Sequence, residues 1–309
     1  MSNLGFVFPG QGSQAIGMLS DFSENACVRD CFSEASQILN YDVWELIQNG
    51  SHEAITQTQR TQPILLTCSV ALFRLWRERD GRSPDFLAGH SLGEWSALVC
   101  SGVITFKAAV DIVETRGRLM QAAVPAGEGA MAAILGLDDN LIVSLCTEAE
   151  EGDEVSAVNF NALGQVVIAG SALGVKRAIA LCQQAGARRA ISLPVSAPFH
   201  TKMMQPAAFK LAEKLDDTVF SPPLIPIVFN VNAQLEQNED RIRDLMLEQI
   251  YRPVRWVNCI QKLAELGVTG IVECGPGRVL SGLSKRIDRS FTLGSTDDNT
   301  TFNTTINSF

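Results

Sequence analysis

The stretch that most constrains what this chain can fold into is Gly89-His90-Ser91-Leu92-Gly93. The apolar run Phe86-Leu87-Ala88 leads into it, and the helical pattern Trp95 to Cys100 leads out. A short apolar run, a serine with glycines two residues to either side, then a helix is the layout of a nucleophile elbow. A turn that passes from strand to helix around one residue holds that residue in a strained backbone geometry. Side chains two positions away would collide there, so glycine fits. The hydroxyl then projects above a sheet, at the N-terminus of a helix whose dipole favours developing negative charge. The pentapeptide alone also occurs in ordinary turns; the strand before it and the helix after it select the elbow.

A serine hydroxyl needs a base to act as a nucleophile. The chain has three histidines to choose from, His52, His90 and His200. His52 lies in the polar stretch Asn49-Gly50-Ser51-His52-Glu53 and reads as a solvated loop residue. His90 is adjacent to Ser91, and neighbours at a strand end point to different sides, so it reads as a packing or hydrogen-bonding residue under the elbow. His200, approached through Pro194 and Pro198, is left as the base. A lone histidine is more often structural; the elbow in the same chain tips the choice.

A chain of 309 residues can build one large core or a core with an inserted subdomain. Strand and helix patterns alternate from Leu4 through Ala123, and again from Pro226 to Ile287, which predicts a mainly parallel sheet covered by helices. Between them, after the break at Val124-Pro125-Ala126-Gly127, the order changes. It reads strand Ala130–Leu135, helix Asp139–Ala149, strand Val155–Asn159, strand Gln165–Ala169, helix Ala172–Ala185, strand Ala190–Val195. That is βαββαβ, the ferredoxin-like arrangement. The expected fold is therefore α/β: a large α/β-hydrolase-like part with a mainly parallel sheet, residues 1–124 and 196–309, and an inserted small ferredoxin-like part, residues 125–195. A helix is expected over about 61–79, with Thr61 as N-cap and Pro63 in its first turn. The Asn- and Thr-rich tail from Ser295 to Phe309 reads as disordered.

The net charge of −9 argues against general nucleic-acid binding. No apolar run is long enough to span a bilayer, and no basic leader precedes one, so a cytoplasmic protein away from the membrane is expected. The eight cysteines form no Cys-x-x-Cys pair and read as buried thiols. With three histidines, none at ligand spacing to another, a metal site is not expected.

Three further features stand out. Arg116 shares a stripe with Ala109, Val113 and Met120, at i, i+4, i+7, i+11 helical spacing. An arginine drawn inward calls for an anion, either a substrate carboxylate or an Asp or Glu of the chain. Asn159 and Asn161 either line the cleft between the two parts or are turn residues. Lys285 and Arg286, with Arg289 beyond, form a basic cluster at the last helix: either a docking patch for an acidic partner or a solvated end complementing the helix dipole.

Gly89-His90-Ser91-Leu92-Gly93-Glu94, joined by Val7-Phe8-Pro9-Gly10-Gln11-Gly12-Ser13-Gln14, the segment ending at His200, and Glu273-Cys274-Gly275-Pro276-Gly277, resembles the acyltransferase family of fatty acid and polyketide synthesis. The match runs in order from about Leu4 to about Ile287. The resemblance implies the two-part layout, with the active site in the cleft between the parts. It implies transfer of a malonyl group from malonyl-CoA to the thiol of acyl carrier protein through an acyl-Ser91, with His200 as base. It gives the backbone N–H groups of Gln11 and Leu92 to the oxyanion and the backbone carbonyl of Gln249 to the histidine. It makes Arg116 the carboxylate-binding arginine, and Phe199, which directly precedes His200, a wall of the acyl pocket. Asn159, Lys285 and Arg286 complete the candidate substrate and carrier contacts. The reaction needs no cofactor, malonyl-CoA being a substrate, and the chain is expected to work as a monomer. A serine hydrolase or thioesterase fits the elbow as well. An inactive carrier-binding module is the non-enzyme alternative, which the intact Ser91 and His200 oppose.

Overall fold

The computed structural model describes residues 3–195 and 197–309. The outer boundary of the inserted part, drawn at 195/196, therefore falls beside Ser196, outside the described residues. In chain order the strands are β1 (Asn3–Phe8), β2 (Phe86–Gly89), β3 (Gly129–Leu135), β4 (Val155–Ala162), β5 (Gln165–Ser171), β6 (Arg189–Ser192), β7 (Ile227–Val228), β8 (Val268–Glu273) and β9 (Thr292–Ser295).

Five of them form a sheet in the order β7-β2-β1-β8-β9, with every pairing parallel. The reason is legible in β1. Its residues are apolar without alternation and buried from Leu4 to Phe8, the mark of a strand covered on both faces. Phe6 and Phe8 point to one side, where their rings meet Phe73 edge-on and Phe6 also meets Trp76. Val7 points to the other, into a cluster with Ala88, Val228 and Trp256. Phe8 stands beside Gly89 in register, which puts the Pro9–Gly12 loop next to the elbow.

The remaining four strands form a separate antiparallel sheet in the order β4-β5-β3-β6. Helices Asp139–Ala149 and Ala172–Gln184 connect its strands. Alternation along β5 divides its side chains: Val166 and Ile168 enter the small part's own core, while Val167 and Ala169 join the main core. The sheet is thus clamped between its helices and the large part. Strand β4 is also stitched to the segment after helix Glu239–Tyr251, where Val254 N–H donates to the Val158 carbonyl at 2.8 Å and Phe160 N–H to the Val254 carbonyl at 3.0 Å.

Three expectations are corrected. The helix expected from Thr61 begins at Thr58, and Thr61 caps nothing. Thr61 lies inside the helix, and its hydroxyl donates back to the Ile55 carbonyl of the preceding short helix, His52–Thr56, at 2.7 Å. The tail is ordered structure: β9 pairs with β8, and helix Asn299–Ser308 follows, capped by Asp298 and anchored by buried Phe302 and Thr305. Asn159 and Asn161 are strand residues of β4, not turn residues.

Candidate active site

The elbow forms because two glycines let backbones approach. A Cβ on Gly89 would run into the Gly93 backbone, and one on Gly93 into the Phe8 carbonyl. Between them Ser91 takes φ +51°, a region that costs an L-residue about 1–2 kcal/mol. Helix Gly93–Cys100 starts immediately beyond. The Leu92 N–H lies at its first turn, one residue past the nucleophile, while Gln11 lies exposed on the loop leaving β1. These are the two positions from which an elbow draws its oxyanion donors.

His200 comes from the loop that returns from the small part, also at positive φ (+65°), its N–H donating to the Ile250 carbonyl at 3.2 Å. Its Nδ1 donates to the Gln249 carbonyl at 2.7 Å, and a carbonyl can only accept. That fixes the tautomer, so Nε2 is the acceptor and faces Ser91 Oγ at 2.8 Å. Burial, with the neighbouring Arg116 charge adding to it, pushes the imidazole down to about 3. The ring is therefore neutral, the form a base requires.

Arg116 projects from helix Phe106–Ala122 and is 1% exposed. Nη1 donates to Gln62 Oε1 and Nη2 to Gln249 Oε1, each at 2.7 Å, and Nη2 lies 3.4 Å from Ser91 Oγ. Its Nε has no partner among the described residues. No carboxylate of the described chain pairs with it directly. The nearest acidic influence is Glu94, which opposes the lowering of its pKa by burial to about 10.

Around these three lies a network that sequence reasoning missed. The carbonyl of Gln249 was expected at His200, but its side chain is equally engaged. Besides accepting from Arg116, its Nε2 donates to the Ser91 carbonyl at 2.7 Å and to Glu94 Oε2. Asn230, just past β7, accepts the Ser91 N–H on Oδ1 at 2.8 Å and donates from Nδ2 to the Gly89 carbonyl at 2.7 Å. Its own N–H donates to Glu94 Oε1. Glu94 is 1% exposed; burial raises its carboxyl, while the Asn230 and Gln249 donors and the Arg116 charge oppose that rise and give each of its oxygens an accepting role.

The other candidates fall as follows. His90 lies under the elbow as expected, its Nε2 2.7 Å from Asn161 Oδ1 and its ring edge-on to Trp256. Asn161, and not Asn159, thus ties the small part to the elbow. Asn159 is buried beside Val254 in the stitched strand. Phe199 is buried next to His200. Lys285 and Arg286 are exposed on helix Val279–Ile287, where Arg286 donates to Gln165 Oε1 at 2.6 Å.

The family description "acyl transferase domain" matches residues 5–290. The chain is 52% identical over 299 residues to the malonyl CoA-acyl carrier protein transacylase of Escherichia coli K12, covering 96% of this chain and 97% of that one. It is 46% identical over 291 residues to the protein of the same name from Bacillus subtilis, covering 94% and 92%. Among solved structures it superposes on an acyl carrier protein S-malonyltransferase from Vibrio cholerae with TM-score 0.97, at 50% identity over 98% and 100% of the two chains. It also superposes on a malonyl-transacylase solved in complex with its type II PKS acyl-carrier protein, with TM-score 0.98, at 48% identity over the whole of both chains.

Proposed function

The chain belongs to the acyl transferase family, and we propose that its elbow site carries the malonyl group from malonyl-CoA to acyl carrier protein, as its relatives' names describe. It is an acyltransferase, an acyl carrier protein S-malonyltransferase. The observation that carries the site assignment is the placement of a buried guanidinium, its Nε without a partner among the described residues, against a Ser91–His200 pair already within hydrogen-bond distance.

In the first half-reaction Ser91 Oγ attacks the thioester carbonyl while His200 Nε2 takes its proton. The N–H groups of Leu92 and Gln11 receive the oxyanion. The intermediate collapses, the CoA sulfur leaves with the proton from His200, and malonyl-Ser91 remains. In the second, the carrier's phosphopantetheine thiol gives its proton to His200 and takes the malonyl group, restoring the serine. The Gln249 carbonyl holds the imidazole in register throughout and needs no negative charge to do so. Arg116 grips the free carboxylate of malonate with parallel N–H donors. Phe199 walls the acyl pocket beside His200. Lys285 and Arg286 offer the acidic carrier a basic docking surface within a chain of net charge −9. In this reading the enzyme works as a monomer in the cytoplasm and uses no cofactor.

The test is an incubation with malonyl-CoA and no acceptor. Intact-mass and peptide analysis should find one malonyl group, on Ser91, discharged by holo acyl carrier protein. A Ser91→Ala variant that still accumulated acyl-enzyme, or a wild type that discharged to water as fast as to the carrier thiol, would overturn the reading, the second outcome favouring a hydrolase.

A further inference from the structure

Ser91 is held in its left-handed turn from both sides of its own backbone. Its N–H is taken by the Asn230 side chain and its carbonyl by the Gln249 side chain. Neither arm is self-supporting. The amide of Gln249 is fastened at Glu94 Oε2 and the backbone of Asn230 at Glu94 Oε1. One carboxylate, three residues beyond the nucleophile on the first turn of the elbow helix, therefore closes two loops that begin and end at Ser91. The arms come from distant elements, Gln249 from helix Glu239–Tyr251 and Asn230 from the end of β7. Gln249 also joins Arg116 to the same carboxylate, accepting from Nη2 on one side of the amide and donating to Glu94 on the other.

From this we infer that Glu94 is a positioning residue for the reaction: its carboxylate tensions both arms that aim Ser91 Oγ and orients the amide that aims Arg116. The inference rests on Ser91 being the nucleophile. The donor set requires an acceptor at each oxygen. A neutral amide in its place presents one acceptor and one NH2, so it must drop one arm by setting donor against donor. Aspartate, shorter by one methylene, cannot reach both. Glu94 touches no reacting atom; its effect passes through geometry, and a displacement of about 1 Å in a nucleophile is worth on the order of 10²-fold in rate.

The experiment compares wild type with Glu94→Gln and Glu94→Asp, two readouts being scaled to active sites titrated by malonyl loading. The first is kcat and KM for malonyl-CoA with a saturating carrier. The second is the rate at which phenylmethylsulfonyl fluoride modifies Ser91, which needs neither malonate nor carrier. Both variants should lose about 10- to 100-fold in kcat per titrated site, with KM changed by less than about 3-fold, and should lose a similar factor in sulfonylation. A residue that merely held the fold together would lower the melting temperature and the titratable fraction while leaving the rate per site intact; that result overturns the inference, as does an unchanged sulfonylation rate. Failure of the parent reading looks different: wild type would then be sulfonylated at Ser91 yet take no malonyl group.

Discussion

The two sheets handle polar groups in opposite ways. Around the C-terminal ends of β1, β2 and β7 the chain buries Glu94, Arg116, His200, Asn230 and Gln249 together. Within residues 129–192 the buried polar side chains reduce to Asn159 among the described residues, and the small core is Ile134, Ile142, Val166, Ile168, Val175 and similar apolar groups. Buried polar groups are costly unless fully paired, and fully paired they fix one geometry. Apart from the Arg116 Nε, the side-chain groups of this cluster are partnered, so the large part holds a specified constellation. The small part contributes a wall, packed by an interaction that is not directional. Damage to the first should appear in rate, and damage to the second in stability.

The sharpest break is expected at His200. His200→Ala should lower kcat/KM for malonyl-CoA by about 10²–10⁴-fold, the scale of a positioned base, with a much smaller effect on melting temperature. The pH profile adds a sign. Because the folded imidazole titrates at about 3 and not near its ordinary 6.5, it stays deprotonated as pH falls. An acid limb in kcat/KM should therefore be missing between pH 7 and pH 5, and a limb centred near 6.5 would contradict the buried geometry. The same depression makes the unfolded chain bind a proton that the folded one refuses, so this residue removes stability progressively as pH drops below about 6.5.

Arg116 comes next, and it separates substrates. Arg116→Ala should reduce malonyl transfer by about 10²-fold while sparing or improving acetyl transfer, measured as kcat/KM on the folded variant. Arg116→Lys should rescue poorly, since an ammonium cannot reproduce the fork that spans Gln62, Gln249 and the substrate. An equal fall for both acyl groups would mean that the arginine serves the network and not selection.

On the other side of the comparison, Ile168→Ala should cost about 2–5 kcal/mol of stability, read from chemical denaturation. Its kcat/KM below the melting transition should stay within about 2-fold of wild type. A tenfold loss of rate would show that the wall is part of the mechanism, through the β4 stitch to Val254 or the His90–Asn161 bond. The smallest effect belongs to the surface: reversing charge at Lys285 and Arg286 should raise KM for the carrier a few-fold and leave that for malonyl-CoA alone. Equal changes for both substrates would remove the docking role.

What could be read from the sequence follows the same division. The elbow, the buried runs of β1 and β8 and the βαββαβ order are local patterns, and each appears in the structure. His200 was findable because the chain has three histidines to choose from, Ser91 because glycines flank it in an elbow pattern, and Arg116 because it interrupts an apolar helical stripe. Asn230 and Glu94 were not. Their bonds to Ser91, Gly89 and Gln249 join residues up to 155 apart in the chain, and no periodicity announces such a partner. Glu94 stood in view as the last residue of the motif, but nothing local marked its partners. The side chain of Gln249 was passed over because its carbonyl had a role. A mild outcome for Gln249→Ala would be expected from the carbonyl alone; the three bonds of its amide make a large loss the better expectation. The tail was misread because Asn and Thr suggested solvent, whereas Phe302 packs against Phe22 and Trp76.

The positive φ of Ser91 bears on the protein's stability as much as on its chemistry. Glycine would sit at this position without strain, relieving about 1 kcal/mol. Ser91→Gly should therefore melt close to wild type, the relieved strain offsetting the freedom glycine adds to the unfolded chain, while being wholly inactive. A serine here, in a backbone that disfavours it, stores strain at the reacting group, so the hydroxyl is held in place at a cost to the stability of the chain.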